Sequence, residues 1–357
     1  MTEGARGRAA ACGRRHLQGG GARLIVLALV VLAGAAVVYA YVQLWRPALA
    51  STPMSFTIAE GSGLRAAAMA MRSAGVLRDA EPLILLGRIT GAHTRVRAGH
   101  YELQAPVTLW ELLQKITRGD VTLSEITFVE GWTLRQWRAA MHAHPDLNRD
   151  ASPQGDSELA LALGLADGAL EGWLFPDTYL FTRGTTDRAL IVRAHRAMVE
   201  HLEREWRARA TDIAVKSPYE ALILASIIEK ETGRAADRTL ISGVFHNRLK
   251  AGMRLQTDPT VIYGLDSDFD GNLRRRDLQH DTAFNTYIRA GLPPTPIAMP
   301  GLASLRAALH PEPTRALYFV ARGDGTSEFS QTLADHSRAV RKYQSGPAAR
   351  PSGSAAR

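Results

Sequence analysis

Residues 217–233 read SPYEALILASIIEKETG, and this stretch predicts one buried helix. Ser217 is placed at the N-cap, Pro218 at the first helical position and Glu220 where it completes a capping box. The middle of the stretch is apolar on every helical face, which is typical of a helix enclosed by other parts of a protein. Gly233 then ends the helix as a C-cap. The stretch therefore predicts the central helix of a folded domain.

Two carboxylates, Glu229 and Glu231, lie at the C-terminal end of this helix. Residues two apart on a helix point about 200° away from each other, so the two cannot line one pocket equally. Glu229 continues the stripe of Leu222 and Ser226. Burial, the negative end of the helix dipole and a neighbouring Glu231 would all favour its protonated form. A general acid needs that form, although a glutamate that merely ends a helix and pairs with an arginine is the alternative.

An apolar stretch at 24–44, LIVLALVVLAGAAVVYAYVQL, contains no charged side chain in 21 residues. This is about the length that crosses a bilayer, and five arginines precede it. The positive-inside rule then predicts a cytoplasmic tail at 1–23, a single transmembrane helix at 24–45 and an extracytoplasmic remainder at the inner membrane. A cleaved signal peptide ending near 48–50 is the alternative, but the apolar stretch is longer than such peptides usually have.

A repeat follows the apolar stretch. FTIAEGSGLR at 56–65 matches ITFVEGWTLR at 126–135, and each reads as an alternating strand, a Glu-Gly turn and a helix. The strand–turn–helix start resembles a lysin motif, a small fold that binds N-acetylated glycans, and a plain packing unit is the alternative. We predict an α+β protein with a lysin-motif-like module at 53–120, a mixed α+β catalytic domain at 121–344 and a disordered tail at 345–357.

Charge and cysteine content exclude some classes of function. The net charge is +8, but the basic residues are scattered and form no stripe interleaved with aromatic residues, so no nucleic-acid partner is predicted. A positive balance also suits a membrane surface or an anionic cell wall. Cys12 is the only cysteine, and the histidines show no metal-ligand spacing. We therefore predict no metal site and no cofactor.

The end of the buried helix, ASIIEKET at 225–232, resembles the active-site helix of the endolytic murein transglycosylase family, the YceG-like proteins. Other motifs resemble the family in the same order along the chain. Thr295 departs from the family's Leu-Pro-Pro-Gly pattern, and a turn that needs positive φ there would be strained by threonine. The matching motifs are LEGWLFPDTY at 170–179, VFHNRL at 244–249, GMRLQTDPTVIYG at 252–264, FNTY at 284–287, GLPP at 291–294 and LYFV at 317–320.

The resemblance implies a reaction. Such enzymes break the MurNAc–GlcNAc β-1,4 bond inside nascent peptidoglycan strands without adding water, leave 1,6-anhydro-MurNAc ends and terminate strand elongation. It also implies peptidoglycan glycan strands as substrate and peptidoglycan synthases as neighbours. One carboxyl group, here Glu229, would serve as both acid and base. Amides and tyrosine rings could hold the sugars, which makes cleft candidates of Gln256, Asp258, Tyr263, Asn285 and Tyr287.

Other assignments stay open at this stage. Asp258 could instead cap a helix, and Asn285 could be a turn residue. A muramidase would hydrolyse the same bond with a second carboxylate, for which Asp258 and Asp277 are candidates. A wall-binding protein without catalytic activity would need only the lysin-motif-like unit, and neither the Glu229 helix nor the 254–263 block.

Overall fold

The computed structural model describes residues 20–45, 53–149, 155–166, 168–231 and 234–344. The chain divides into two compact units, Met1–Thr122 and Leu123–Arg357. Helices and strands occur in both, so the predicted α+β content is confirmed. Within these residues the strands form three antiparallel pairs, Met54–Ile58 with Gly99–Leu103, Leu123–Thr127 with Thr178–Thr182 and Tyr318–Ala321 with Ser327–Ser330. The predicted tail at 345–357 and most of the predicted cytoplasmic segment fall outside the described residues.

The first described element of the first unit is helix α1, Gly20–Trp45. Large apolar side chains along it, between Leu24 and Tyr41, are exposed. Within the described part of the chain, no helix combines the length and apolar character that crossing a membrane requires.

The remainder of the first unit packs two strands against three helices. Phe56 and Tyr101 face each other across the strand pair, with ring centroids 5.2 Å apart. Both are buried in a core to which the helices contribute leucine, isoleucine, alanine and methionine side chains. These elements are β1 at Met54–Ile58, α2 at Leu64–Ser73, α3 at Glu81–Ile89, β2 at Gly99–Leu103 and α4 at Leu109–Arg118.

The second unit surrounds α8, the helix predicted from residues 217–233. Every residue from 221 to 228 is buried, which confirms that α8 is an interior helix. The elements of this unit are β3 at Leu123–Thr127, α5 at Leu134–Ala143, α6 at Gly155–Ala162, β4 at Thr178–Thr182, α7 at Asp187–Arg207, α8 at Pro218–Glu231, α9 at Ala235–Lys250, α10 at Asp258–Leu265, α11 at Leu302–Leu309, β5 at Tyr318–Ala321, β6 at Ser327–Ser330 and α12 at Leu333–Gln344.

The sequence repeat forms the same structure twice. In each copy a strand leads through a Glu-Gly turn into a helix, and the turn glycines Gly61 and Gly131 have φ values of 76° and 77°. Glycine suits these positions because other residues are strained in the left-handed region. Thr133 caps only the second copy with its side chain, in a capping box with Gln136. That the first copy binds glycan remains a prediction.

Candidate active site

The stripe of α8 that carries Glu229 is hydrogen-bonded to a buried segment at 296–301. This segment leads into α11. Ser226 accepts a hydrogen bond from the Ile297 amide at 3.0 Å, through Oγ. One turn further along, the Glu229 Oε2 atom accepts one from the Gly301 amide at 2.9 Å. The predicted stripe is therefore the face of α8 that binds this segment.

Glu229 is nearly enclosed, with 7% of its side chain exposed. Its Oε1 atom lies 3.8 Å from Nη2 of Arg238 on α9, and that arginine is 12% exposed. An arginine and a backbone amide both favour the charged carboxylate. Our expectation that Glu229 would sit among groups favouring its neutral form was therefore incomplete, because α9 supplies a cation that helix geometry alone does not reveal.

A second carboxylate, Glu130, lies beside this site. A Cβ on Gly301 would collide with the Glu130 carboxylate and lie 2.8 Å from its Cγ, so Glu130 and Glu229 meet at the same glycine. Partial burial raises the pKa of Glu130, the nearby Glu229 raises it further, and Arg238 opposes both. Helix geometry indicated no second carboxylate on the Glu229 stripe, and Glu130 reaches the site from the turn after β3 rather than from α8.

Two Glu-Gly-Trp turns, neither of which is part of α8, contact the 296–301 segment. In the first turn the Gly131 amide donates to the Met299 carbonyl, and the Met299 amide donates to the Trp132 carbonyl, both at 2.8 Å. In the second, the Gly172 amide approaches Met299 Sδ at 3.1 Å. Both glycines have positive φ, 77° and 82°. This tripeptide occurs at 130–132 and 171–173, and its recurrence is a sequence signal that could have identified Glu130.

Glu171, the carboxylate of the second turn, is a buried hydrogen-bond acceptor next to the site. It is 8% exposed and accepts hydrogen bonds from the Leu134 amide at 3.1 Å and from the Tyr263 hydroxyl at 3.1 Å. Burial raises the pKa of Glu171 to about 7, although both hydrogen bonds lower it. Glu171 thereby joins the start of α5 to α10, and it was not among the predicted site residues.

Glu231 has different neighbours from Glu229. Its carboxylate accepts a hydrogen bond from the hydroxyl of Thr257, the residue before α10. Burial raises the pKa of Glu231 to about 7, against the opposing effects of Thr257 and Arg248. The two carboxylates at the end of α8 therefore contact two different parts of the domain, in line with their angular separation.

The comparisons with known proteins cover most of the chain. The model of the YceG-like family matches residues 56–342. The chain belongs to this family. An endolytic murein transglycosylase from Bacillus subtilis (strain 168) is 33% identical over 82% of this chain and 85% of its own length. The protein of the same name from Streptococcus pneumoniae (strain D39) is 27% identical over 80% of this chain but only 57% of its own length.

A solved structure gives the same assignment of family. The crystal structure of a YceG-like protein from Listeria monocytogenes has a TM-score of 0.50 and 29% sequence identity, covering 81% of this chain and 99% of that one.

In this YceG-like chain the five predicted cleft residues lie around α10 but have different environments. Gln256 is exposed and has an unusual φ of 48°. Its backbone N–H donates a hydrogen bond to the Thr286 carbonyl. Asp258 is also exposed and accepts a hydrogen bond from the Tyr287 hydroxyl at 2.6 Å. These three side chains, Gln256, Asp258 and Tyr287, stay candidates for sugar contacts.

The side chains of the other two cleft candidates make hydrogen bonds within the domain. Asn285 is fully buried, and its amide donates to the carbonyls of Leu278 and His280. These hydrogen bonds engage the Asn285 side chain within its own loop, and a direct sugar contact by Asn285 stays a prediction. Tyr263 is half-buried, donates to Glu171 and presses its ring against Phe284 with centroids 4.8 Å apart.

Two other sequence expectations concern turns. In the described part of the chain, the residues other than glycine with positive φ are Gln256 and Asp266. Thr295 is not one of them, so the backbone strain considered for threonine at this turn does not arise. Asp277, one candidate for a second carboxylate, accepts a hydrogen bond from the Arg274 amide at 2.7 Å in a short turn. Neither of the two carboxylates that we considered for a muramidase is the one found beside Glu229 and Gly301, which is Glu130.

Proposed function

We propose that this chain is an endolytic murein transglycosylase that cuts the MurNAc–GlcNAc β-1,4 bond of nascent strands without water. Relatives of that name align with at least four fifths of the chain. The observation that carries the proposal is the position of Glu229. It is the carboxylate on the buried face of α8, beside both the 296–301 segment and Arg238.

The proposed reaction needs one group to give a proton and then to take one. Glu229 protonates the glycosidic oxygen as the bond to C1 breaks, and the resulting carboxylate accepts the proton of the muramic 6-hydroxyl as that oxygen attacks C1. The Gly301 amide and Arg238 stabilise the carboxylate between the two steps. Because the 6-hydroxyl belongs to the same sugar, its attack is intramolecular and has a high effective molarity compared with water.

The product distinguishes this reaction from hydrolysis. Purified glycan strands digested in water enriched in heavy oxygen are expected to yield unlabelled 1,6-anhydro-MurNAc ends, one water lighter than a reducing sugar, by mass spectrometry. Labelled reducing ends as the primary product would make the chain a muramidase instead. Intact strands bound but not cut would indicate a wall-binding protein.

We also propose that 24–45 anchor the chain in the inner membrane, with 1–23 in the cytoplasm and the residues after 45 outside. The uncharged stretch at 24–44 and the arginines before it support this. The lysin-motif-like module at 53–120 would bind glycan strands, and the catalytic domain at 121–344 would cut them. Peptidoglycan synthases, which make the nascent strands, would be its partners there.

A reporter enzyme that works only outside the cytoplasm tests the topology. Fused after Pro53, it is expected to be active and to sediment with membranes, because one apolar span carries it across. Fused before Arg23, it should be inactive. Activity of the second fusion alone would reverse the orientation, and a soluble active first fusion would indicate a cleaved signal peptide.

A further inference from the structure

We propose that Glu130 is a positioning residue for the Glu229 acid: it competes with Glu229 for Arg238, so that Glu229 can keep the proton that the first step needs. This deepens the proposed function and rests on it. The starting difficulty is that Arg238 and the Gly301 amide, which both contact Glu229, interact most favourably with an ionised carboxylate. A permanently charged Glu229 could not protonate a leaving oxygen.

The geometry places Glu130 close enough to Glu229 to influence whether Glu229 keeps its proton. Gly301 separates the two carboxylates, since its amide donates to Glu229 while its missing side chain leaves the space that the Glu130 carboxylate fills. A Cβ on Gly131, in the same turn as Glu130, would lie 3.6 Å from Glu229 Cγ. The turn therefore packs directly against the acid, and its φ of 77° requires glycine to do so.

Arg238 has bonding capacity for a second carboxylate. Its Nη2 atom is 3.8 Å from Glu229, a long ion pair, and its buried Nε atom has no hydrogen-bond partner among the described residues. Two carboxylates around one guanidinium carry a net charge of −1 when both are ionised. Like charges at this range disfavour joint ionisation, so the pair retains a proton more strongly than either would alone.

The two members of the pair differ in access to water, which assigns their roles. Glu229 is 7% exposed, whereas Glu130 is exposed at the surface. A charge is better solvated at Glu130, and the first step needs the proton on Glu229, so we assign the role of ionised neighbour to Glu130 and the role of acid to Glu229. Protons also balance over the reaction: Glu229 gives one to the glycosidic oxygen and regains one from the 6-hydroxyl, while Glu130 stays a carboxylate throughout.

Lys230, the residue after the acid, is another charged group near the pair. Its Nζ atom donates to the Gly131 carbonyl at 3.3 Å, which fixes the turn. With Arg238 from α9, the Gly301 amide from α11 and Lys230 from α8, the groups facing the pair are cations and donors. Without the charge of Glu130, all of them would favour loss of the proton.

The pH profile of turnover tests the proposal. Glu130→Gln removes the charge and keeps the shape, so the alkaline limb of the kcat profile is expected to move to lower pH by about one unit, which is about a tenfold loss on the alkaline side. Activity at acidic pH should be nearly retained. Glu130→Asp keeps the charge and is expected to restore most of the alkaline activity. Glu125→Gln, an exposed glutamate on the same strand–turn unit, should leave the profile unmoved.

A second variant displaces the carboxylate without removing it. Gly301→Ala keeps an allowed backbone, with φ at −78°, but its methyl group pushes the Glu130 carboxylate aside. We expect the same direction of shift as in Glu130→Gln. An equal loss at every pH in both variants, with the limbs in place, would mean that the turn is only structural and would overturn the proposal. Reducing ends from the wild-type protein would refute the proposed function separately, whatever the profiles show.

Discussion

Glu229→Gln is expected to lower the rate of glycan cleavage by about 100- to 10,000-fold, the usual contribution of a general acid and base. Glutamine preserves the shape of the side chain and can still accept the Gly301 amide, so the 296–301 segment should stay in place. The loss would therefore come from the proton and not from the fold. We would measure the turnover of purified strands and the thermal unfolding midpoint on the same preparation. A loss of turnover with an unchanged midpoint shows that the proton, and not the fold, was lost.

Glu231→Gln is the matched control for this change. It makes the same substitution two residues along the same helix, where the carboxylate contacts Thr257 instead of Gly301. The glutamine oxygen can still accept from Thr257, and we expect a far smaller loss of activity than for Glu229→Gln. If the two effects were reversed, the assignment of the acid from the helix face would be wrong.

Gly172→Ala is expected to have the largest effect on stability, about 2–4 kcal/mol. The residue has a φ of 82°, and an added Cβ would collide with the ring of Pro296 while lying 3.6 Å from the Ala298 carbonyl. The clash would push the 296–301 segment away from the second Glu-Gly-Trp turn. Denaturant unfolding should therefore show a lower midpoint, and activity should fall with it because Gly301 moves.

Gly164→Ala separates backbone strain from the clash. Gly164 has a similar φ of 86°, but nothing lies within 4 Å of its added Cβ. This variant should lose only about 1 kcal/mol, the cost of placing alanine in the left-handed region. Equal losses in the two variants would show that packing against Pro296 contributes nothing.

Local sequence patterns predicted the parts of the fold that depend on neighbours in the chain. The apolar faces and capping residues of 217–233 gave a buried α8, and the alternating strands of the repeat gave β1 and β3 with the helices that follow. The angular separation of Glu229 and Glu231 also followed from helix geometry alone. In each case the information lies within about one or two turns of the residue concerned.

The rest of the site depends on contacts between residues far apart in sequence. Glu130 reaches Glu229 across 99 positions in the chain, and Arg238 approaches from a different helix. The repeated Glu-Gly-Trp tripeptide singles out Glu130, but no local pattern places either residue beside the acid. The burial of Asn285, which we predicted as a cleft residue, also depends on such contacts. An amide that can bind a sugar can equally bind two backbone carbonyls, and only the folded loop decides between them.

The last turn of α8 has a consequence for inhibition. Glu229 is joined to Gly301 and Glu231 to Thr257, from opposite sides of one hydrogen-bonded helical turn. Residues on such a turn cannot move independently, because each is fixed to the same rigid backbone. A compound that binds on the Thr257 side of α8 would therefore lie on the opposite face of the helix from the Glu229 carboxylate. Such a compound would not compete with the glycan strand for the acid.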